Sequence, residues 1–418
     1  MINCFIPFLS LPQARQTVRA LGLCDRIKNI YLLATEKIPD EVEGCEMLMI
    51  DSPASTATFR TIALHADTAY TLLYTKYTAF EPGQFAFERL LAIAGDTNAG
   101  MLYADRYLLK NGNSQQAPVI DYQKGSLRDD FDFGSLLFFR SSVLKQAVRA
   151  MDADYRFAGL YDLRLRVSEL AELVHVNEYL YSEVETDIRK SGEKLFDYVD
   201  PKNRAVQIEL EAVCTAYLKR VGGYLAPDFE PVTFDAGGFE QEASVIIPVR
   251  NRIRTIEDAI RSVLAQKTTF RFNLIIVDNH STDGTSEAIG KYTADGRVVH
   301  LVPERSDLGI GGCWNVGVHH PACGKFAVQL DSDDVYSGPD TLQKIVDAFY
   351  EQNCAMVVGT YRMTDFKMNE LPPGVIDHRE WTLENGRNNA LRINGLGAPR
   401  AFYTPILRKI NLPNTSYG

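Results

Sequence analysis

SVIIPVRNR, at residues 244–252, is an apolar β-branched run that ends in polar residues, and the fold of the second half of the chain can be inferred starting from it. Two similar runs follow it, LIIVDN at residues 274–279 and KFAVQLDSDD at residues 325–334. A helical pattern lies between each run and the next. Strands that alternate with helices predict βαβ units and a mostly parallel sheet that is covered on both faces. The second half of the chain is therefore predicted to be an α/β domain.

The remaining patterns of this half fit the same plan. Helices are predicted in TIEDAIRSVLAQ (255–266), DGTSEAIGKY (283–292) and DTLQKIVDAFYEQ (340–352). One further strand is predicted in CAMVVGTYRM (354–363).

The first half of the chain repeats the plan of the second. NCFIPF, with Pro7, parallels SVIIPV, with Pro248, and IYLLAT parallels LIIVDN. Further along, GMLYADRYLLKNG parallels AMVVGTYRMTDFKMNE, and GSLLFFRSSVL parallels GAPRAFYTPIL. Because the parallels occur in the same order, we expect a duplication of a whole domain. The predicted fold class is α/β, with two tandem αβα domains of Rossmann-like, mostly parallel sheet.

The composition shifts where the two halves meet. Prolines, paired glycines and acids mark APDFEPVTFDAGGFEQE as the best linker in the chain. Just before it, QIELEAVCTAYLKRV (207–221) has the apolar spacing of an amphipathic packing helix. We therefore predict a first domain at residues 1–225, a linker at 226–242 and a second domain at 243–418.

Charge and cysteine content limit the partners and the compartment. The 418 residues include 44 Lys and Arg against 54 Asp and Glu, a formal net charge of −10. This balance argues against a nucleic-acid partner, which needs basic surface to neutralise phosphates. No apolar run is long enough to span a bilayer, although association with a membrane surface stays open. The N-terminal MINCFIPFLSLPQAR lacks a basic region and is typical of a buried first strand rather than of a signal peptide. Seven scattered cysteines favour a reducing cytoplasm.

Polar residues stand directly after three predicted strands, where open α/β sheets bind their ligands. Arg250 and Asn251 follow the first strand, and Asp278 and Asn279 end the second. DSDD at residues 331–334 follows the third. Two like charges about 4 Å apart repel by about 4 kcal/mol at an effective dielectric of about 20, so these three carboxylates are costly without a cation. An all-oxygen site suits Mg²⁺ or Mn²⁺. The alternative is a solvated turn that caps a helix.

From Ala243 to its end, the chain resembles the family 2 glycosyltransferases, which have the GT-A fold. The resemblance rests on SVIIPVRNR, IRSVLAQ, IIVDNHSTDGT, DLGIGGCWNVGV and QLDSDD, in the order and spacing of that family. It implies a nucleotide-diphosphate sugar as donor, with a UDP-sugar favoured, and a carbohydrate or lipid-linked acceptor. It also implies inversion at the anomeric carbon, a divalent cation, and a role in the biosynthesis of glycans or polysaccharides.

The resemblance implies roles for individual residues. Pro248, Arg250 and Asn251 would line the nucleotide pocket, and Asp278 would contact the base. Asp331 would lie on the ribose side, and Asp333 would hold the metal that bridges the diphosphate, with Asp334 as a further acid nearby. The remaining residues expected to contact the donor are Asn279, Gly309, Asn315 and Ser332.

Two features depart from the family. Cys313, Trp314 and Asn315 stand where the family often has Ala-Arg-Asn, so a basic contact to the nucleotide or phosphate is absent there, and Trp314 either stacks on a ring or packs in the core. The general base of the family lies shortly beyond a segment like GAPRAFYTPILRKINLPNTSYG, and Asp162 marks the equivalent place in the first half. Because the sequence stops at Gly418, we expect a domain truncated just before that acid, and no catalytic residue is assigned.

The first half lacks the acidic residues of the second. Ala34 stands where Asp278 stands, and TKYT at residues 75–78 falls near the place of DSDD. A domain without these carboxylates cannot hold the metal in the same way. We therefore expect a degenerate copy of the fold that packs, positions the acceptor or mediates assembly.

Three functions other than glycosyl transfer are alternative interpretations of the sequence. LDSDDV also satisfies the pattern of a haloacid-dehalogenase-like phosphatase with Asp331 as nucleophile, but two strands precede it and no GDxxxD follows. The interpretation of this segment as a dinucleotide-binding loop is weaker still, since Trp314 occupies the third glycine position after Gly309 and Gly311. The non-enzyme alternative is a sugar-binding or scaffold protein derived from transferase domains.

Overall fold

The structure is a computed structural model. It describes residues 1–37, 40–110, 112–184, 203–235, 237–379, 381–382, 386–393, 396–397 and 399–410. The chain divides into two compact units. Unit 1 comprises Met1–Tyr224 and Arg379–Asn394, and unit 2 comprises Leu225–His378 and Gly395–Gly418.

Unit 1 is a mixed α/β structure, and its elements are numbered along the whole chain. They are β1 (Ile2–Pro7), α1 (Leu11–Gly22), β2 (Ile27–Ala34), β3 (Glu46–Met49), α2 (Thr56–His65), β4 (Tyr70–Tyr74), β5 (Phe80–Pro82), α3 (Ala86–Asp96), β6 (Met101–Lys110), β7 (Asn113–Ala117), β8 (Leu136–Arg140), α4 (Ser141–Arg149), α5 (Gly159–Leu170), β9 (Leu173–Val184), α6 (Arg204–Arg220) and α11 (Asn389–Arg392).

Unit 2 alternates strands and helices, as its sequence pattern predicts. Its elements are β10 (Ala243–Val249), α7 (Ile256–Leu264), β11 (Phe272–Asp278), α8 (Thr285–Gly290), β12 (Val298–Leu301), α9 (Ile310–His319), β13 (Phe326–Gln329), α10 (Thr341–Gln352), β14 (Met356–Val358), β15 (Tyr361–Thr364), β16 (Glu370–Ile376), β17 (Arg400–Tyr403) and α12 (Thr404–Ile410).

The strands at the centre of unit 2 are buried on both faces. Every residue of β10 and of β11 is buried. Val245, Ile247 and Val249 belong to one apolar core, and Ile246 belongs to a second core on the other side of the sheet. Alternate side chains of a strand point to opposite faces, so a run without polar alternation needs cover on both sides. The predicted α/β class with a covered sheet is confirmed.

Helix α7 shows how the cover is built. Ile256, Ala259, Ile260 and Val263 are buried and recur at the spacing of one helix face. Acidic Glu257 and Asp258 lie in its first turn, where the helix dipole favours negative charge.

The two sheets share an order of strands. In unit 1 the order begins β3-β2-β1-β4-β8-β6, and in unit 2 it is β12-β11-β10-β13-β17-β14. In each unit the first four strands of this order run parallel and the fifth is antiparallel to the fourth. Pro7 pairs with Leu33, as Pro248 pairs with Val277. This likeness is compatible with the predicted duplication.

One predicted strand is wrong. Residues 354–363 were expected to form a single strand, but the structure has β14 and β15, separated at Gly359 and Thr360. A Cβ at Gly359 would lie 2.6 Å from Cγ of Pro399, and its N–H donates to the Pro399 carbonyl. The chain therefore passes close to Pro399 and turns out of the sheet, and β15 pairs with β16 as a separate hairpin.

The predicted linker contributes to the core of unit 2. Its described residues form no helix or strand. Nevertheless, the ring of Phe234 lies 5.4 Å from that of Phe326 and 5.1 Å from those of Tyr350 and Tyr403. The boundaries predicted at residues 225 and 243 stay predictions.

Unit 1 is completed by a distant segment of the sequence. Arg392, on α11, is fully buried and donates hydrogen bonds to the carboxylate of Asp129 and to Oε1 of Gln207. Asn388, just before α11, donates to Oγ1 of Thr215 on α6. A polar side chain is tolerated at such depth because partners satisfy it.

Across the described residues, no helix combines the length and the apolar character that crossing a membrane would require.

Candidate functional site

The predicted site residues lie along one edge of the unit 2 sheet. Strand β10 lies between β11 and β13 and runs parallel to both, so the carboxyl ends of all three meet at that edge. Pro248 is buried near the end of β10 and pairs in register with Val277 of β11. Arg250 follows β10 and is exposed. The arrangement is the edge at which open parallel sheets bind ligands.

Asn251 ties the loop after β10 to the loop after β11. It has a left-handed backbone, with φ of 55°, a conformation that asparagine adopts more readily than most residues. Its side-chain Oδ1 accepts a hydrogen bond from the N–H of Thr282 at 2.8 Å, and its own N–H donates to Oγ of Ser281 at 3.0 Å. The asparagine therefore fixes the relative position of these two loops.

Asp278 ends β11 and is completely buried. Oδ1 of its carboxylate accepts from the N–H of Ser281 at 3.0 Å, and Oδ2 accepts from the hydroxyl of Ser286. Burial by itself would raise the pKa of this carboxyl, but the hydrogen bonds from Ser281 and Ser286 outweigh burial and hold the pKa below its usual value. Asp278 thus organises the loop after β11 as a buried anion.

Asn279 connects the end of β11 to the start of α9. Its N–H donates to the carbonyl of Val249 at 2.8 Å, and its side-chain Nδ2 donates to the carbonyl of Leu308. Its Oδ1 is buried and has no hydrogen-bond partner among the described residues. An unpartnered buried acceptor is costly, so a donor group of a ligand would stabilise it.

Helix α9 carries the next predicted residues. Gly309 immediately precedes it with extended backbone, and Asn315 lies within it. Trp314 is 8% exposed and lies edge-on to Phe402, with 6.4 Å between ring centroids. Of the two roles considered for Trp314, packing in the core is the one that the structure supports.

The DSDD loop follows β13 at the same edge. Oδ1 of Asp331 accepts from Nε2 of Gln329 at 3.2 Å, and Ser332 is buried. Asp333 and Asp334 are exposed. The carboxyl group of Asp334 loses hydration to the neighbouring protein, and this desolvation, together with the charges of Asp331 and Asp333, raises its pKa to about 6. The part of this rise that comes from Asp331 and Asp333 reflects repulsion among the three carboxylates, which the sequence predicts.

Arg252 is a residue of this edge that the sequence analysis missed. Its Nε lies 3.8 Å from Oδ2 of Asp333, so it joins the loop after β10 to the DSDD loop. The basic spacing of Arg250 and Arg252 in PVRNR could have indicated it. Ser281 and Ser286 were also missed, because serine in a turn-rich segment carries no specific signal.

The protein oxygens do not form a closed metal cage at this loop. Among the described residues, three potential ligand atoms within 4.8 Å of one another occur at Cys24, Asp25 and Glu88 of unit 1, and not at residues 331–334. The DSDD loop nevertheless presents hard oxygen ligands whose mutual repulsion a divalent cation would relieve.

The corresponding edge of unit 1 has different chemistry. Ala34 ends β2, and Thr75 to Thr78 follow β4. Within that loop Lys76 pairs with Glu183, a carboxylate that is fully buried and also pairs with Nε of Arg106 at 3.0 Å. Unit 1 therefore has built-in cations at the place where unit 2 has clustered carboxylates.

A parallel sheet with polar loops converging on one edge defines an α/β protein with a ligand site at its strand ends. Residues 244–409 match the family described as Glycosyl transferase family 2. This match covers the part of the chain whose sequence motifs resemble that family.

Individual glycosyltransferases are similar to part of the chain. TuaG, a putative teichuronic acid biosynthesis glycosyltransferase of Bacillus subtilis, is 33% identical over 120 residues, which is 29% of this chain and 46% of TuaG. An uncharacterised glycosyltransferase of Rickettsia conorii is 38% identical over 97 residues, 23% of this chain and 15% of that protein. The chain thus matches less than half the length of these relatives.

Solved structures show a similar partial match. The crystal structure of S. aureus TarS residues 1–349 is 24% identical, with a TM-score of 0.33, and the match covers 41% of this chain and 49% of that one.

Proposed function

We propose that unit 2 transfers a sugar from a nucleotide-diphosphate donor to an acceptor hydroxyl. The observation that carries this proposal is the meeting of three loops at one sheet edge, joined by the Asn251–Thr282 hydrogen bond and the Arg252–Asp333 ion pair. These loops contain the residues that the family resemblance assigns to the donor. The family match over residues 244–409 supports the reaction class.

The donor is proposed to lie across this edge. Its nucleoside end would lie toward Asp278, the predicted contact of the base, and toward Asn279, whose buried Oδ1 lacks a partner among the described residues. The ribose and diphosphate would lie toward Asp331 and Asp333. Pro248, Arg250, Asn251, Gly309, Asn315 and Ser332 stay predicted donor contacts. A UDP-sugar remains the favoured donor.

A divalent cation, Mn²⁺ or Mg²⁺, is proposed to bind at Asp333. The exposed carboxylates of Asp333 and Asp334, and the raised pKa of Asp334, fit a site that needs positive charge. When bound there, the cation would neutralise charge that develops on the leaving diphosphate. The protein side chains would hold the donor so that the acceptor hydroxyl attacks from the opposite face, with inversion. We assign no residue to the deprotonation of that hydroxyl.

The biological setting is part of the proposal. One relative is described as a putative teichuronic acid biosynthesis glycosyltransferase, which favours polysaccharide biosynthesis and a carbohydrate or lipid-linked acceptor here too. All cysteines of the described residues are free thiols, which suits the cytoplasm.

Unit 1 is proposed to be a copy of the same fold without a donor site. The shared strand order supports the common fold, and Ala34 and Lys76 replace the acidic chemistry of unit 2. Its role would be to pack, to position the acceptor or to mediate assembly.

Removal of the metal ligand tests this function directly. In Asp333→Ala, we expect the Mn²⁺-dependent stabilisation by nucleotide sugars to disappear, because the mutant lacks the carboxylate that positions the cation. The measurement is the melting temperature with a panel of UDP- and GDP-sugars, with and without Mn²⁺.

Asp258→Ala is the matched control, since Asp258 is exposed and pairs with Arg261 on the surface of α7. It should retain the stabilisation of the parent. If no nucleotide sugar stabilises the parent, the result favours the alternative of a non-enzymatic sugar-binding or scaffold protein. If Mn²⁺ and nucleotide sugars stabilise Asp333→Ala as much as the parent, the assignment of Asp333 as metal ligand is wrong.

A further inference from the structure

The loop after β10 contains a cation for which the predicted site has no role. We propose that Arg252 binds the donor diphosphate. Arg252 pairs with Asp333 in the ligand-free protein and turns to the diphosphate when a divalent metal occupies Asp333. The ion pair of 3.8 Å is the starting point, and about half of each side chain is exposed and able to move. The inference rests on the proposed function, because it takes Asp333 as the metal ligand.

The backbone around Arg252 is fixed, which leaves recognition of an anion to side chains. Three successive N–H groups, those of residues 251–253, donate to side chains in the loop after β11 and at the start of α8. Their acceptors are Oγ of Ser281 for Asn251 at 3.0 Å, Oγ1 of Thr285 for Arg252 at 2.8 Å and Oδ2 of Asp283 for Ile253 at 3.2 Å. Because these groups already have partners, they do not form an anion-binding nest.

The charge of the site requires a further cation. The carboxylates of Asp331, Asp333 and Asp334 and an incoming diphosphate together carry more negative charge than one divalent ion neutralises. Where the family often has arginine, this chain has Trp314, which is 8% exposed and packs against Phe402. A guanidinium matches phosphate oxygens with two parallel hydrogen bonds, so Arg252 is chemically suited to supply the missing contact.

The neighbouring Arg254 is directed elsewhere. Its guanidinium lies over the ring of Phe366, with 5.8 Å between the central carbon and the ring centroid. Arg254 has the same charge as Arg252 and lies two positions away in the same loop, so it provides a matched control.

Arg252 and the metal would compete for Asp333 but act together on the diphosphate. Removing the arginine should therefore have two effects of opposite sign. Mn²⁺ alone should bind more tightly, because a competing and repelling cation is gone. A nucleoside diphosphate with Mn²⁺ should bind more weakly, because a charged hydrogen-bond donor is gone.

The experiment uses the full chain with Arg252→Gln, Arg252→Lys and Arg254→Gln. Binding of Mn²⁺ alone is followed by electron paramagnetic resonance, and binding of UDP and of GDP with Mn²⁺ by calorimetry. For Arg252→Gln we expect the affinity for Mn²⁺ to rise about threefold and the affinity for the nucleotide with Mn²⁺ to fall about tenfold. Arg252→Lys keeps the charge but lacks the two parallel N–H donors of the guanidinium, so its affinities should lie between those of Arg252→Gln and the parent. Arg254→Gln should have the affinities of the parent.

The outcomes separate this inference from the proposed function. If the parent binds neither UDP nor GDP with Mn²⁺, both fail. If the parent binds a nucleotide and Arg252→Gln binds it equally well, only the role of Arg252 is wrong. If Arg252→Gln weakens Mn²⁺ and nucleotide binding alike, Arg252 merely supports the shape of the loop, and the inference is again overturned.

Discussion

Asp278 shows how a single buried carboxylate can hold a binding loop in place. Its two oxygens accept hydrogen bonds from Ser281 and Ser286, and together these bonds outweigh the cost of burial. The sequence correctly places a polar residue at this strand end, because an acid directly after an apolar run stands out. Full burial could not be predicted, since the sequence does not show that Ser286 of α8 is a hydrogen-bond partner of the carboxylate.

Loss of the Ser286 hydroxyl should therefore destabilise the protein. For Ser286→Ala we expect the free energy of unfolding to fall by about 2 kcal/mol at pH 7, because a buried charge loses a hydrogen bond. A carboxyl with a lowered pKa stabilises the fold above its unfolded pKa and loses that contribution as the pH falls through the folded pKa. The difference in free energy of unfolding between Ser286→Ala and the parent should thus be constant near neutral pH and become smaller in acid. Urea unfolding at several pH values measures it.

The exposed Ser306 provides the comparison, since Ser306→Ala should leave the unfolding midpoint unchanged. Equal midpoints for Ser286→Ala and the parent at pH 7 would show that the hydrogen bond to Asp278 contributes nothing.

At the scale of the element, helix α9 packs tightly on the sheet through a glycine. A Cβ on Gly317 would lie 2.6 Å from Cγ2 of Ile246, closer than side chains pack. Gly309 and Gly311 of the same segment fit a dinucleotide-binding loop only weakly, and at Gly317 the absence of a side chain serves the contact between helix and strand. The sequence patterns predicted no helix at α9, because its glycines and tryptophan lack the usual apolar spacing.

Gly317→Ala should therefore destabilise the protein although alanine favours helices. We expect a loss of about 1–3 kcal/mol from overpacking, which exceeds the gain in helix propensity of about 1 kcal/mol. Gly290→Ala is the control, because a Cβ at Gly290, the last residue of α8, meets nothing within 4 Å. Thermal unfolding of both variants measures the difference, and a Gly317→Ala protein as stable as Gly290→Ala would contradict the packing argument.

In the whole molecule, several strands of both units could be predicted from the sequence, whereas the discontinuous course of unit 1 could not. Strand order depends on apolar runs that are visible locally, so β1, β2, β10, β11 and β13 follow from the pattern. The place of α11 in unit 1 does not, because it depends on a hydrogen bond between Arg392 and Asp129, which lie 263 positions apart. No periodicity or composition of residues 379–394 indicates that partner.

Arg392→Met should weaken unit 1 selectively. Removing the guanidinium leaves Asp129 buried and unpaired, and we expect a loss of about 3 kcal/mol. Hydrogen exchange should become faster in α6, whose Gln207 also contacts Arg392, and stay unchanged in β10 and β11. Adding Asp129→Asn should restore part of the stability, because the unpaired charge is removed.

Unchanged exchange in α6 of Arg392→Met would mean that the segment is only loosely attached. If hydrogen exchange became equally faster in β10 and β11, the two units would instead unfold together.

The discontinuous course of unit 1 has a consequence for synthesis of the chain. The ribosome makes Asp129 and Gln207 early, but the arginine that both of them contact comes after the whole of β10 to β16. At 5–20 residues per second, the stretch from residue 224 to residue 392 takes roughly 10–30 s to translate. Until then Asp129 lacks its Arg392 partner, so we expect the final consolidation of unit 1 to wait until that arginine has emerged.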